Sequence, residues 1–293
     1  MRRFVRFSLV ILLCFGLVNA WAAPRSSKAR EKGKSSSGEY DVFLLIGQSN
    51  MAGRGYMIEG DEDIIDSNVF LLNDEGEPVP ATNPLNQYSS IRKKLSRQQI
   101  CPGLGFAKKM SKKISKKTGR KILLVVNARG GTTIAQWAKG ETGDGFYEEA
   151  VRRTQQAMKY GTLKAVLWHQ GCGDAKKTDT YMCSLATFVQ NLRTDLGVQV
   201  PFIAGELGRW RPHVAAFNEM LHSISQHIPL SDWVSSEDCL PRGTADSPEP
   251  NMKDAHFGRE SQILLGERYA DKVIDMCYRK KFANHDRKHG FRE

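Results

Sequence analysis

A serine, a histidine and a carboxylate that meet in space can transfer an acyl group. Ser49 stands in Gly47-Gln48-Ser49-Asn50-Met51, directly after an apolar run at residues 42–46. A buried strand that ends in a turn of small residues is where open α/β sheets present reactive groups. A neutral hydroxyl needs a base to take its proton. Of the seven histidines, His256 is the best placed, in a polar loop after the last apolar run and just before the final helix. His169 also ends a strand and is its rival. A carboxylate on the far ring nitrogen would fix the tautomer and offset the charge that forms. Asp254 is the nearest candidate, with Asp246 and Asp174 as alternatives. The oxyanion of a tetrahedral intermediate needs preorganised donors. The Ser49 N–H, the Gly131 N–H in Ala128-Arg129-Gly130-Gly131-Thr132, and the Gln170 side-chain amide could supply them. The blander readings are that Ser49 caps the next helix and that Gly130-Gly131 is an ordinary tight turn.

The block from Gly47 to Met51 resembles the first motif of the SGNH hydrolases. More narrowly, it resembles the branch containing sialate O-acetylesterase and the acetylxylan esterases of carbohydrate esterase family six. His256-Phe257, followed by Leu265-Gly266-Glu267-Arg268-Tyr269-Ala270, is similar to the last block of these esterases. His169-Gln170-Gly171-Cys172-Gly173-Asp174 is similar to a block that usually reads His-Gln-Gly-Glu-Ser, then Asp. The resemblance spans about Tyr40 to Cys277. It implies a flavodoxin-like three-layer α/β/α sandwich with a central parallel sheet. It further implies a serine esterase that removes O-acetyl groups from carbohydrate through an acetyl-serine intermediate, without a cofactor. Ser49 would be the nucleophile, His256 the base and Asp254 the orienting acid. The chain departs from the pattern twice. Lys253 stands three residues before the histidine, where the family usually has its acid, and Asp254 is one residue nearer. Cys172 and Gly173 replace the usual glutamate and serine. These departures motivate the alternative of a non-catalytic carbohydrate-binding relative with the same fold.

These groups can converge only if several strands end on one rim. Continuous apolar runs at 42–46, 122–126, 163–168 and 200–204, with shorter ones at 69–72 and 233–235, predict buried strands. Between them, helical spacing predicts helices at 146–159, 181–196, 214–228 and 259–276. Strands alternating with helices argue for one domain with a parallel sheet covered on both faces. A turn is predicted at Glu75-Gly76-Glu77-Pro78. The lysine-rich stretch 108–121 carries Phe106, Met110 and Ile114 at helical spacing, so its lysines read as a solvated face. No aromatic residues interleave with them as a nucleic-acid platform would require.

The chain of 293 residues is 40% hydrophobic and 26% charged, with formal net charge +11, an ordinary globular composition apart from its basicity. Arg2, Arg3 and Arg6 precede an apolar run at 9–18, and Ala20-Trp21-Ala22 offers a cleavage site. Residues 1–22 therefore read as a signal peptide of a secreted or periplasmic protein, and no membrane span is expected once it is cut. Residues 23–39 read as a flexible polar lead-in, 40–278 as the esterase domain and 279–293 as a basic tail. Five cysteines remain in the mature chain, and their spacing matches no metal motif. Their pairing stays open, with Cys239–Cys277 and Cys172–Cys183 as possibilities. Trp137, Trp210 and Tyr56 could stack on sugar or belong to the core.

Overall fold

β1 (Tyr40–Gly47) is buried along its whole length, which suits a strand in the middle of a sheet covered on both faces. The computed structural model describes residues 39–244 and 247–279. The signal peptide, nearly all of the lead-in, Asp246 and the tail from residue 280 lie outside the described residues. The remaining strands are β2 (Val69–Leu72), β3 (Pro78–Pro80), β4 (Lys121–Ala128), β5 (Gly161–His169), β6 (Phe202–Gly205) and β7 (Ser231–Val234). They form one seven-stranded sheet in the order β3-β2-β4-β1-β5-β6-β7. Every pairing is parallel except that of β2 with β3.

The five strands β4-β1-β5-β6-β7 have the flavodoxin-like order, so the expected three-layer fold is present. β2 and β3 extend the sheet beyond β4. The predicted turn is present, closed by the Gly76 N–H on the Asn73 carbonyl, but its last predicted residue, Pro78, opens β3, a strand the sequence reading missed for a simple cause. Pro78 and Pro80 flank Val79, and proline conceals a strand signal while being tolerated on an edge strand. The Ala81 N–H donates inward to the Val69 carbonyl. By the two-residue alternation of a strand, the positions of Pro78 and Pro80 face outward.

The helices are α1 (Ser49–Ala52), α2 (Gly103–Met110), α3 (Lys116–Thr118), α4 (Phe146–Ala157), α5 (Thr178–Leu196), α6 (Ala215–His222), α7 (Ile224–His227) and α8 (Arg259–Cys277). Side chains of β1 alternate between two cores. Val42, Leu44 and Ile46 pack with Tyr147 of α4 and Phe188 of α5. Phe43 and Leu45 pack with Phe106 of α2 and Tyr269 of α8. The lysine-rich stretch is helical as expected, joined by a π turn at Ser111–Ser115, with Phe106, Met110 and Ile114 buried. The single helix predicted over 214–228 is divided at Ser223, whose hydroxyl donates back to the Met220 carbonyl at 2.7 Å. That bond competes with helical continuation. Neither disulfide forms, because Cys172, Cys183 and Cys239 are free thiols, as is Cys101. Among the described residues no helix is long and apolar enough to cross a membrane.

α2 and α8 cross at two glycines. A Cβ on Gly266 would lie 1.9 Å from the Pro102 carbonyl oxygen, and one on Gly105 would lie 2.1 Å from the Ile263 carbonyl oxygen. The helices can approach this closely only without those methyl groups. We expect Gly266→Ala to force them apart and cost at least ~2 kcal/mol of stability, an overpacking penalty. A urea melt checks this, and an unchanged midpoint would mean that the crossing has room to spare.

Candidate active site

At the end of β1 the backbone turns sharply at Gly47, where φ is +134°. A side chain there would collide with the β5 backbone, since a Cβ would lie 2.3 Å from the His169 carbonyl oxygen. The Gln48 N–H donates to that same carbonyl at 2.9 Å, so the rim stays zipped as the chain leaves the sheet. β1 lies between β4 and β5, where the strand order reverses direction, and such switch points open a crevice at the carboxyl ends. Ser49 opens α1 there. Its hydroxyl does not cap the helix, because the capping position is Gln48 and no side-chain cap bond forms. Ser49 Oγ instead lies 3.1 Å from His256 Nε2.

His256 Nδ1 lies 2.6 Å from Asp254 Oδ1. An ionised carboxylate only accepts hydrogen bonds, so Nδ1 carries the ring proton and Nε2 presents a lone pair to Ser49. The spacing of two residues works because the same Oδ1 also accepts the backbone N–H of His256 at 2.9 Å. One oxygen thus closes a local aspartate turn and holds the ring. The other oxygen, Oδ2, accepts from Arg242 Nε at 2.8 Å, and Trp210 Nε1 donates to the Asp254 carbonyl at 2.8 Å. Burial pushes the Asp254 pKa up. Arg242, the His256 amide and the facing imidazole outweigh it and hold the carboxyl below its ordinary value. For His256, burial pushes the pKa down, Asp254 pulls it up, and the cations Arg242 and Arg54 press it down again, leaving it below 6.5. The ring is therefore predominantly neutral, and able to accept a proton, at neutral pH.

Asn50, fully buried beside Ser49, fastens the histidine loop to the first turn. Its Oδ1 accepts from the Phe257 N–H and from Gln262 Nε2, each at 3.2 Å, while its Nδ2 donates to the Ala255 carbonyl at 3.3 Å. Gln48 Oε1 accepts the Gly171 N–H at 3.2 Å, tying in the end of β5. Ser49 and His256, with Gln48 and Ala255 beside them, border an open cleft of about 630 Å³. Its wall includes Arg54, Lys93, Arg97, Arg211 and Arg242, and among the described residues that line it there is no carboxylate.

The other residues singled out by sequence fall on both sides of the line. Gly131 borders the cleft. Gln170 does not, which corrects its expected place among the oxyanion donors. It is 1% exposed, its Nε2 donates to the Thr132 carbonyl and to Asp174, and its Oε1 accepts from Tyr181. Asp174 accepts from that amide and from the Ile134 N–H, so it supports the loop rather than the histidine. His169 is wholly buried and held neutral, its pKa pushed down by burial to about 4, with Nδ1 at 3.2 Å from the Tyr269 hydroxyl. Asp246 lies outside the described residues. Burial pushes the Cys172 thiol up despite nearby Arg211, which keeps it protonated and poorly nucleophilic. Trp137 is core and donates to Thr132 Oγ1. Trp210 packs edge-on against Phe257. Tyr56, 37% exposed, stays at the cleft beneath the Arg242 guanidinium. Sequence reasoning missed Asn50, Arg54 and Arg242. Asn50 sits within the motif block itself, Arg54 three residues beyond it, and for Arg242, in a polar loop, no local signal exists.

Residues 39–275 match the sequence model of a family described as carbohydrate esterase, sialic acid-specific acetylesterase. A probable carbohydrate esterase of Arabidopsis thaliana is 30% identical over 246 residues, covering 77% of this chain and 86% of that protein. Among solved structures, an Arabidopsis thaliana protein superposes with a TM-score of 0.67 at 24% identity, over 81% of this chain and 98% of that one. A carbohydrate acetylesterase from Xanthomonas citri gives a TM-score of 0.56 at 19% identity, over 81% of this chain and 57% of that one.

The electrostatics of the histidine can be tested without any substrate. Arg242 disfavours the imidazolium, so Arg242→Gln should make the ring easier to protonate and shift its titration to higher pH. NMR titration of the His256 ring protons should give a midpoint below 6.5 in the native chain and a higher one in the variant. A midpoint that stays put would separate Arg242 from the histidine.

Proposed function

The chain belongs to the sialic acid-specific acetylesterase family of carbohydrate esterases and is a carboxylic ester hydrolase, and from that premise we propose that it removes O-acetyl groups from carbohydrate by way of an acetyl-serine. The observation that carries the proposal is the unbroken hydrogen-bonded line from Ser49 through His256 to Asp254, at 3.1 and 2.6 Å. His256 Nε2 takes the Ser49 proton as Oγ adds to the acetyl carbonyl. Asp254 holds the imidazolium that results, and the proton then passes to the departing sugar oxygen. Water, deprotonated by the same ring, releases acetate. The Ser49 and Gly131 amides, both on the cleft, are the proposed main-chain donors to the oxyanion.

The wall of the cleft favours a sugar that carries an acid group over a neutral one. Lys93, Arg97 and Arg211 face the same space, and Cys172 stands where the family usually places a glutamate, so among the described lining residues no carboxylate neutralises them. A carboxylate on the sugar would find complementary charge. Tyr56 offers a partly exposed ring beside it for stacking. We propose export as well, on the support of the basic-then-apolar N-terminal residues and the small residues that follow them.

The mature protein should hydrolyse p-nitrophenyl acetate, and Ser49→Ala should lose at least ~10³-fold in kcat, the order seen when a nucleophile is removed. Equal, near-background rates would instead favour a carbohydrate-binding protein that has kept the fold. Lys93→Gln combined with Arg211→Gln should raise KM for an acetylated polyuronate by roughly 5- to 10-fold while leaving an acetylated neutral xylan little changed, as expected for two partly exposed charges. An equal effect on both polymers would remove the acid-sugar reading.

A further inference from the structure

With the Gln170 amide committed inside the protein, the oxyanion of the proposed reaction has main-chain donors and lacks a side-chain donor. Arg54 stands beside the gap. It follows the Ser49 turn directly and is 8% exposed. Its backbone is fixed by an N–H bond to the Ile100 carbonyl at 2.9 Å. Its Nη1 is fully occupied, donating to the Gly53 carbonyl at 2.5 Å and the Arg97 carbonyl at 2.7 Å. Nη2 points elsewhere. A Cβ built on Gly130 would lie 2.7 Å from Arg54 Nη2 and 3.3 Å from Ser49 Cβ. The guanidinium edge, the serine and the Gly130-Gly131 turn therefore border one small volume, open to the cleft. Among the described residues no carboxylate is hydrogen-bonded to Arg54. The charges that act on it are the cations Arg242 and Arg97 and, more weakly, the carboxylate of Asp254. A buried charge with no carboxylate hydrogen-bonded to it and two cations nearby is costly, and the cost falls when an anion arrives at Nη2.

Resting on the serine-esterase reading above, we propose that Arg54 is a catalytic residue, its Nη2 donating to the carbonyl oxygen of the substrate as that oxygen becomes negative. Ser49 Oγ adds to the carbonyl carbon, the π pair moves onto the oxygen, and the serine proton passes to His256 Nε2. Arg54 gives up no proton at any stage. The intact ester carries only a partial charge on that oxygen, so the interaction strengthens in the transition state and shows in kcat rather than in substrate binding. Burial, then Arg242 and Arg97, push the Arg54 pKa down to about 10, which still leaves it charged at neutral pH. An arginine that gripped an acid group on the sugar would behave differently, acting through KM and only on acidic substrates.

The test measures p-nitrophenyl acetate hydrolysis, a neutral substrate, by the native protein, Ser49→Ala, Arg54→Met, Arg54→Lys and Gly130→Ala. Rates are taken at about pH 8.5, where the imidazole is neutral in every variant. Arg54→Met should lose ~10²- to 10³-fold in kcat, the usual effect of deleting one oxyanion donor, with KM within a few-fold of native, and Arg54→Lys should recover part of the loss. Gly130→Ala, whose methyl group would displace Nη2 while leaving the arginine in place, should also lower kcat, and it decides the matter should Arg54→Met fail to fold. Native-like kcat in a folded Arg54→Met or in Gly130→Ala, or a loss confined to KM, would overturn the assignment. A native rate no higher than that of Ser49→Ala would instead overturn the esterase reading on which it rests.

Discussion

One carboxamide holds the two halves of the site together. Ser49 and His256 are separated by most of the folded chain, and each sits on a short turn that could sway by more than a hydrogen bond tolerates. Asn50 removes that freedom. Its oxygen takes an amide from the histidine loop and another from the first turn of α8, while its nitrogen returns a bond to the loop carbonyl. Because the group is buried, each of these bonds would be costly to leave unmade. The loop therefore has one satisfactory seat, and that seat puts an imidazole within reach of the neighbouring hydroxyl. Behind it, α8 is drawn onto α2 at the glycine crossing, so the seat belongs to the core rather than to the surface.

Charge is organised around the same seat in two tiers. Asp254 is flanked by Arg242 on one oxygen and the His256 ring on the other, so its negative charge is divided rather than spent on the imidazole alone. The surplus cations of the cleft lower the affinity of the ring for a proton. They thereby favour a neutral base at rest and attract whatever negative charge appears during the reaction. The two tendencies are coupled. Adding a carboxylate to the wall would quench the attraction and also make the base harder to keep neutral.

Much of this was legible in the sequence, for identifiable reasons. Buried parallel strands advertise themselves as unbroken apolar runs, which is how residues 42–46 and 122–126 revealed the sheet and the rim on which Ser49 stands. Asp254 was legible as the nearest carboxylate, although its shortened spacing from His256 looked doubtful. The doubt dissolves in the local turn, where one oxygen serves both amide and ring, a geometry that residue spacing does not encode. Gln170 misled because a polar residue at a strand end looks the same in one dimension whether it faces the cleft or the interior. Here Tyr181 and Asp174, from the next turn and helix, claim both ends of its amide. Arg242 was invisible since its importance lies wholly in a contact across a loop. The β3 strand was hidden by prolines that would have broken any interior strand.

Those same prolines have a consequence for how copies of this protein meet. A strand at a sheet margin normally exposes alternate amides to which a stranger's backbone can bind. On β3 the outward positions are Pro78 and Pro80, whose ring nitrogens carry no hydrogen. A second polypeptide aligned with this margin would find acceptors but, at those two places, nothing to donate to it. The border beyond β2 is thus sealed by covalent chemistry, and this protects a concentrated or partly unfolded population from ribbon-like stacking on that side.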